Sequence, residues 1–354
     1  MNTIKTKFNQ ISNQSLYFIA DIGANHDGSL EKAIQLIHLA KEAGADAAKF
    51  QNFSANKIVS KYEFDNMPRQ SHQASWSKSV FEVYEEASIN QNWTKILKEE
   101  CDKIGIDYFT SPYDFNAVDL VNEYVDIFKI GSGDITWLEI IDYIISKNKP
   151  VLIATGASSL DDVDRAMNRV LAQNAKHVLM QCNTNYTGSE KNFDFINLNV
   201  LKTYKEKYPN TILGLSDHTS GHSTVLGSIA LGATVIEKHF TDNNANVGPD
   251  HFFAMNPKSW REMVDCAKEL FRSLGDGYKK IEENELDSYK VQRRSLCASK
   301  GLKKHTILTK DHLVALRPHT DNSYHPYEID NLIGKVLKSE ISQSQSIKKD
   351  DIEP

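Results

Sequence analysis

Cysteine is scarce in this chain. The four residues Cys101, Cys182, Cys266 and Cys297 are far apart among 354, with no Cys-x-x-Cys pair. That spacing gives no reason to expect disulfides, and reduced thiols in a cytoplasm are the expected state. Long apolar runs are also missing. None approaches the roughly 20 residues that a membrane helix needs, so no membrane span is expected. The first fifteen residues, Met1 to Ser15, are polar and lack the apolar centre of a signal peptide. There is no excess of basic charge: 41 Lys+Arg face 47 Asp+Glu, a net charge of -6. A general nucleic-acid binder or an acidic-membrane binder would show the opposite balance. A local basic pocket for an anionic substrate stays open. No internal repeat or low-complexity tract occurs.

What is present is globular. The chain is 40% hydrophobic and 25% charged, and its length suggests a barrel-sized domain plus a smaller one. Short apolar runs alternate with helix-length amphipathic stretches. The runs are Tyr17 to Ile22, Ala47 to Gln51, Tyr108 to Ser111, Ile127 to Ile130, Val151 to Thr155, Val178 to Cys182, Ile212 to Leu215 and Val235 to Glu237. Continuous apolar runs fit parallel strands buried on both faces. Between them the period lengthens. Leu30, Ala33, Ile34, Ile37 and Ala40 follow a helical stripe, with Ser29 placed to cap its start and Gly44 to close its end. Eight strand–helix units in succession predict an α/β fold, a (β/α)8 TIM barrel. The stretch Asn52 to Trp93 is long for a strand–helix connection and is expected to hold an inserted loop or lid beside the site. The expected division is a catalytic barrel over 1–275, a charged linker over 276–294 and a small β-rich domain over 295–354.

In such a barrel the chemistry sits at the C-terminal ends of the strands. Polar residues recur there around the rim: Asp21, Lys49 and Gln51, Lys129 with Ser132 and Asp134, Ser158, Asn183 with Asn185 and Tyr186, Ser216 with His218, and Glu237 with His239. A lysine inside an apolar strand must find an anion or bear a large desolvation cost. Lys49 and Lys129 therefore suggest a phosphate or carboxylate clamp, with a structural salt bridge as the plainer reading. Ser132 and its neighbouring glycines could add donors to the same anion. His218 and His239 close adjacent strands and can meet at one ion. Two nitrogen ligands leave positions for water and substrate, which suits a Lewis-acid divalent cation better than a closed zinc site.

These residues resemble the sialic acid synthases, the N-acetylneuraminate, legionaminate and pseudaminate synthase family. The matching segments are Ile19 to Gly28 (IADIGANHDG), Gly44 to Gln51 (GADAAKFQ), Lys129 to Gly133 (KIGSG), Gly214 to Thr219 (GLSDHT), Glu237 to Thr241 (EKHFT) and Gly248 to His251 (GPDH). The stretch from Arg293-Arg294-Ser295-Leu296 to Arg317-Pro318 is similar to the family's antifreeze-like (SAF, β-clip) domain. The resemblance implies a divalent cation, most often Mn²⁺ with Mg²⁺ or Co²⁺ as alternatives, held by His218 and His239. It implies phosphoenolpyruvate on Lys49, Lys129, Ser132 and Ser216. Glu237 would lie by the reacting carbons, and Gln51, Tyr186 and Asp250 near an amino sugar. It also implies a homodimer in which the second domain of one chain covers the barrel mouth of the other and contributes Arg317.

Several positions depart from the family pattern. Asp21, in the catalytic set with Glu237 and the two histidines, and Asp134, in the substrate set, stand where glutamate is more common. A phosphate-binding serine is Ala154 here, with Ser158 as its expected substitute. An asparagine is replaced by Thr184, between Asn183 and Asn185. The usual Gly-rich turn after Arg-Pro is His319 to Pro326. The expected reaction is condensation of phosphoenolpyruvate with an N-acetylmannosamine-type aldehyde and water, releasing phosphate by C–O cleavage. Two rivals are a pyruvate aldolase using Lys129 or Lys238 as a Schiff base, and a non-catalytic sugar-binding protein.

Overall fold

A computed structural model of the chain describes residues 3–69, 73, 74 and 76–354. They form two compact units, Met1–Leu274 and Gly275–Pro354. The first begins with a short antiparallel hairpin, β1 (Ile4–Lys5) and β2 (Gln10–Ile11). Eight parallel strands follow: β3 (Tyr17–Asp21), β4 (Ala47–Asn52), β5 (Asp107–Pro112), β6 (Phe128–Ile130), β7 (Val151–Ala154), β8 (His177–Cys182), β9 (Ile212–Asp217) and β10 (Ala233–His239). Their order in the sheet is β5-β4-β3-β10-β9-β8-β7-β6. The first strand thus pairs with the last, and β5 comes against β6 to bring the barrel near closure.

Strand alternation separates two apolar layers. Along β4, Ala48 and Phe50 face the surrounding helices, while Ala47 joins an inner cluster with Tyr17, Ile19, Ile127, Ile212 and Val235. The inner cluster fills the barrel interior and reaches Ala154 and Cys182 at the ends of their strands. Ile4 and Ile11 of the hairpin join it and are almost fully buried, so they plug the barrel's N-terminal end. The hairpin was not anticipated, because two-residue strands leave no periodic signal. Above the apolar layer the same inward rows continue as Asp21, Lys49, Lys129, Ser216, Glu237 and His239.

Helix α1 (Leu30–Ala43) follows its sequence signals. The Ser29 side chain accepts a hydrogen bond from the Lys32 backbone, and Gly44 closes the helix in the left-handed region at φ 96°. Ala33, Leu36, Ile37, Ala40 and Ala43 form its buried face. The long connection after β4 holds three short helices, α2 (Ala55–Ile58), α3 (Lys61–Asn66) and α4 (Val80–Ala87). The remaining helices of the unit are α5 (Trp93–Ile104), α6 (Phe115–Asn122), α7 (Leu138–Ile145), α8 (Leu160–Ala172), α9 (Val200–Lys207), α10 (Ser223–Ala230) and α11 (Pro257–Ser273).

The second unit opens with α12 (Leu286–Gln292), inside the stretch read from sequence as a linker. It then pairs β11 (Ser295–Ala298) with β12 (Leu313–Leu316) in antiparallel register. Isolated bridges such as Leu302↔Ile341 and Leu337↔Ile352 complete it around a small core of Leu296, Leu308, Leu332 and Ile347. No described helix is long and apolar enough to cross a membrane.

Candidate active site

A cavity of about 410 Å³ opens at the C-terminal ends of the barrel strands, a size suited to small ligands. Its floor is ionic. Lys49 Nζ lies 2.6 Å from Asp21 Oδ2 and 3.7 Å from Glu237 Oε1. Lys129 Nζ lies 3.1 Å from the same Glu237 oxygen, which also accepts from Ser216 Oγ at 3.2 Å. All five side chains are buried. Burial raises the Asp21 carboxyl, but Lys49 and His239 outweigh it and hold the group below its usual range. Burial lowers the Lys49 ammonium, and Asp21 with Glu237 more than reverses the effect. Two ammonium groups thus converge on two carboxylates within one cavity. The second Glu237 oxygen, Oε2, is buried with no hydrogen-bond partner, as is Ser111 Oγ elsewhere in the lining. Unpaired buried polar atoms of this kind are costly unless a ligand completes them.

The two histidines face each other with ring centroids 5.5 Å apart. His218 Nδ1 lies 2.8 Å from the Asn183 carbonyl, which can only accept. That contact puts the proton on Nδ1 and leaves Nε2 as a lone-pair donor. His239 Nδ1 is buried without a hydrogen-bond partner, 3.6 Å from Asp250 Oδ2. Both imidazoles line the cavity. Among the described residues no group of three or more His, Cys, Asp or Glu is placed to hold a metal ion.

Asp250 comes from the loop after β10, and the Ala24 backbone N–H donates to it at 3.1 Å. Gly23 makes that approach feasible. It has φ +50°, and a Cβ there would stand 2.8 Å from Asp250 Oδ2 and 3.2 Å from the His239 ring. The Tyr186 ring packs against His218, tilted by 59° with centroids 4.3 Å apart. Asp134 lines the cavity mouth, where burial pushes its carboxyl up to about 6, opposed by Lys129.

The structure therefore brings Asp21, Lys49, Gln51, Lys129, Ser132, Asp134, Tyr186, Ser216, His218, Glu237, His239 and Asp250 to one cavity. It does not bring Ser158, Asn183 or Asn185 of the same unit, or Arg317 of the second, into that lining. Ser158 Oγ turns to the Gly156 carbonyl, 2.9 Å away. The Asn183 amide donates to Phe195 O, and its own carbonyl serves His218. Asn185 Oδ1 accepts from the Thr187 backbone N–H and hydroxyl. All three follow strand ends, but local loop hydrogen bonds set their direction. Arg317 is exposed in the second unit, at the end of β12. Lys238 also stands elsewhere: it faces outward and binds Asp217, which removes it as a Schiff-base nucleophile in this cavity.

The insertion after β4 lies beside the site, as its length led one to expect, but the residues it contributes were not named from the sequence. Phe53, Ile58, Trp76, Val83, Tyr84 and Ala87 line the cavity from the insertion after β4. Nothing in their spacing distinguishes them from ordinary core residues. Tyr113 and Cys182 also line it. Cys182 had a signal, because it ends the inward row Val178, Met180, Cys182.

Comparison with known proteins agrees over nearly the whole chain. Residues 36–279 match the model of the NeuB family, and residues 293–353 match the SAF domain. The N,N'-diacetyllegionaminic acid synthase of Legionella pneumophila is 32% identical over 348 residues, spanning 97% of this chain and 96% of that protein. The Campylobacter jejuni protein of the same description is 32% identical over 335 residues, spanning 94% and 98%. Among solved structures, the N-acetylneuraminic acid synthetase of Leptospira borgpetersenii, in complex with citrate, aligns with a TM-score of 0.71 at 26% identity. That alignment covers 81% of this chain and 94% of that one.

Proposed function

This chain belongs to the NeuB family, and from that premise we propose that it is a cytoplasmic nonulosonic acid synthase. It condenses phosphoenolpyruvate with an N-acylated amino-sugar aldehyde and water, and it releases phosphate. The observation that carries this reading is the pairing of two chemistries in one cavity. Lys49 and Lys129 offer positive charge on its floor, and His218 and His239 offer two nitrogen donors beside them.

Phosphoenolpyruvate carries a carboxylate and a phosphate. Lys49, Lys129, Ser132 and Ser216 supply ammonium and hydroxyl donors for them. The sugar occupies the side bounded by Gln51, Tyr186 and Asp250. A divalent cation, Mn²⁺ by preference, on His218 and His239 would supply Lewis-acid polarisation of the aldehyde oxygen. The C3 carbon of phosphoenolpyruvate forms a bond to the aldehyde carbon, whose oxygen gains a proton. The resulting positive charge at C2 is captured by water, which loses a proton. The bond from C2 to the bridging oxygen then breaks, phosphate departs with that oxygen and takes up the C2 hydroxyl proton, and C2 becomes the ketone. The unpartnered Oε2 of Glu237 is suited to offset the cation or accept the proton of water. The active form is a homodimer with exchanged second units, in which Arg317 reaches the partner's sugar.

Phosphoenolpyruvate labelled with ¹⁸O at the bridging position tests the reaction. The label should appear in inorganic phosphate, and only when an amino sugar is present. Label retained in the sugar acid would contradict C–O cleavage. Failure of every amino sugar to release phosphate would overturn the reading itself. Running N-acetylmannosamine beside a 2,4-diacetamido-6-deoxy sugar identifies the preferred acceptor, and borohydride trapping with pyruvate tests the aldolase.

A further inference from the structure

Asp217 and Lys238 are neighbours in the parallel ladder between β9 and β10, each one residue before a cavity histidine. Alternation turns Ser216, His218, Glu237 and His239 inward and this pair outward. It lies under α10, whose Thr224 hydroxyl donates to Asp217 Oδ2 at 2.7 Å. Both side chains are 1% exposed. Lys238 Nζ donates to Asp217 Oδ2 and also to the Thr219 carbonyl at 2.7 Å. Asp217 Oδ1 accepts from Thr219 N–H at 3.2 Å and from its hydroxyl at 3.0 Å.

One ammonium therefore closes a ring around Asp217-His218-Thr219, the segment that carries the first imidazole. The same ammonium belongs to the residue preceding the second imidazole. Both histidines are thus referenced to one buried charge on the far side of the sheet. Stability alone does not account for such a pair, since a buried ion pair is often no better than an apolar pair of similar volume. Its ordering effect on the two ring positions is the more specific consequence.

We propose that Lys238 and Asp217 are positioning residues that set the spacing of His218 and His239 for a divalent cation. The proposal rests on the metal reading above and concerns how the site is held rather than what it binds. Ligand spacing held from behind governs metal affinity, and loss of such support typically weakens binding about 10–100-fold.

The test is Mn²⁺ binding to the full-length protein, followed by the electron paramagnetic resonance of free Mn²⁺. The double variant Lys238→Met/Asp217→Asn removes both charges together, so no unpaired charge is buried. Its Mn²⁺ dissociation constant should rise about 10-fold or more, while phosphoenolpyruvate binds within about twofold of the parent, because the lysine floor is untouched. A purely structural pair would lower the melting temperature and leave Mn²⁺ affinity alone. Thr224→Val is the milder arm, should the double variant not fold: it deletes one donor to Asp217 and should weaken Mn²⁺ about 2–5-fold, in line with one lost hydrogen bond. Unchanged Mn²⁺ affinity in a folded double variant, or in Thr224→Val when the double variant does not fold, overturns the clamp. A parent protein that binds no Mn²⁺, or whose Mn²⁺ binding survives His218→Ala, overturns the metal reading and the clamp with it.

Discussion

Glu237 and Lys129 meet 3.1 Å apart on the cavity floor, although 107 residues separate them in sequence. Only one oxygen of Glu237 is engaged there. Oε1 takes Lys129 and Ser216, while Oε2 is buried and unpartnered. The carboxylate is thus anchored at one end and available at the other. Glu237→Gln keeps the shape and removes the charge. Its kcat should fall about 100-fold or more, with little change in the phosphoenolpyruvate KM. Steady-state kinetics decide this, and a kcat within about threefold of the parent would count against a catalytic Glu237.

Exhaustive chelation should abolish turnover, and added Mn²⁺ should restore it. His218→Ala and His239→Ala should fold and lose metal-dependent activity, because each deletes one of the two nitrogen donors proposed for the cation. Full activity after chelation, verified by elemental analysis, would remove the cation from the mechanism.

Asp134 gives a pH signature. Burial raises its carboxyl to about 6, so the folded state binds this proton more tightly than the unfolded state does. Ionisation then destabilises the fold. The penalty is complete above about pH 6 and fades as pH falls toward the ordinary aspartate value. Asp134→Asn removes it. The gain in unfolding free energy should be about 2 kcal/mol larger at pH 7.5 than at pH 4.5. Urea titrations at the two pH values measure the difference, and equal gains would show that Asp134 titrates normally.

The apolar wall from the insertion should govern the sugar rather than phosphoenolpyruvate. Val83 is half-buried in that wall, remote in character from the lysine floor. Val83→Ser should lower kcat/KM for the sugar about 5–30-fold, equivalent to about 1–2 kcal/mol of lost apolar contact. The phosphoenolpyruvate KM should hold. A selective rise in the latter would place the two substrates the other way round.

Subunit exchange tests the role of Arg317. An Arg317→Ala chain and a His218→Ala chain should each be inactive. Mixed, they form one site with both residues intact and should regain about a quarter of parental activity if chains assort at random. Verified exchange without recovery would mean that Arg317 acts in its own chain or is not needed. Full activity of a sedimenting monomer would exclude a shared site.

Much of the barrel was legible before folding. Its eight strands, the Ser29 and Gly44 caps and the recurrence of polar residues at the strand ends all follow from local sequence. The hairpin plug was not legible, because Ile4 and Ile11 act only by meeting the barrel's inner cluster. Ser158, Asn183 and Asn185 looked equivalent to Ser216 and Glu237 as polar residues at strand ends. Their loops satisfy them locally instead.

The sequence by itself determined which residues alternate, where the helices begin and end, and that cations and imidazoles recur at strand ends. Those properties depend on neighbours a few positions away, so composition and spacing express them. Tertiary structure alone decided that Lys129 reaches Glu237, that Lys238 is turned away beside Asp217, and that Val83 faces the cavity. Such outcomes depend on strand register and barrel closure across a hundred residues, and a one-residue slip in register would reverse each of them.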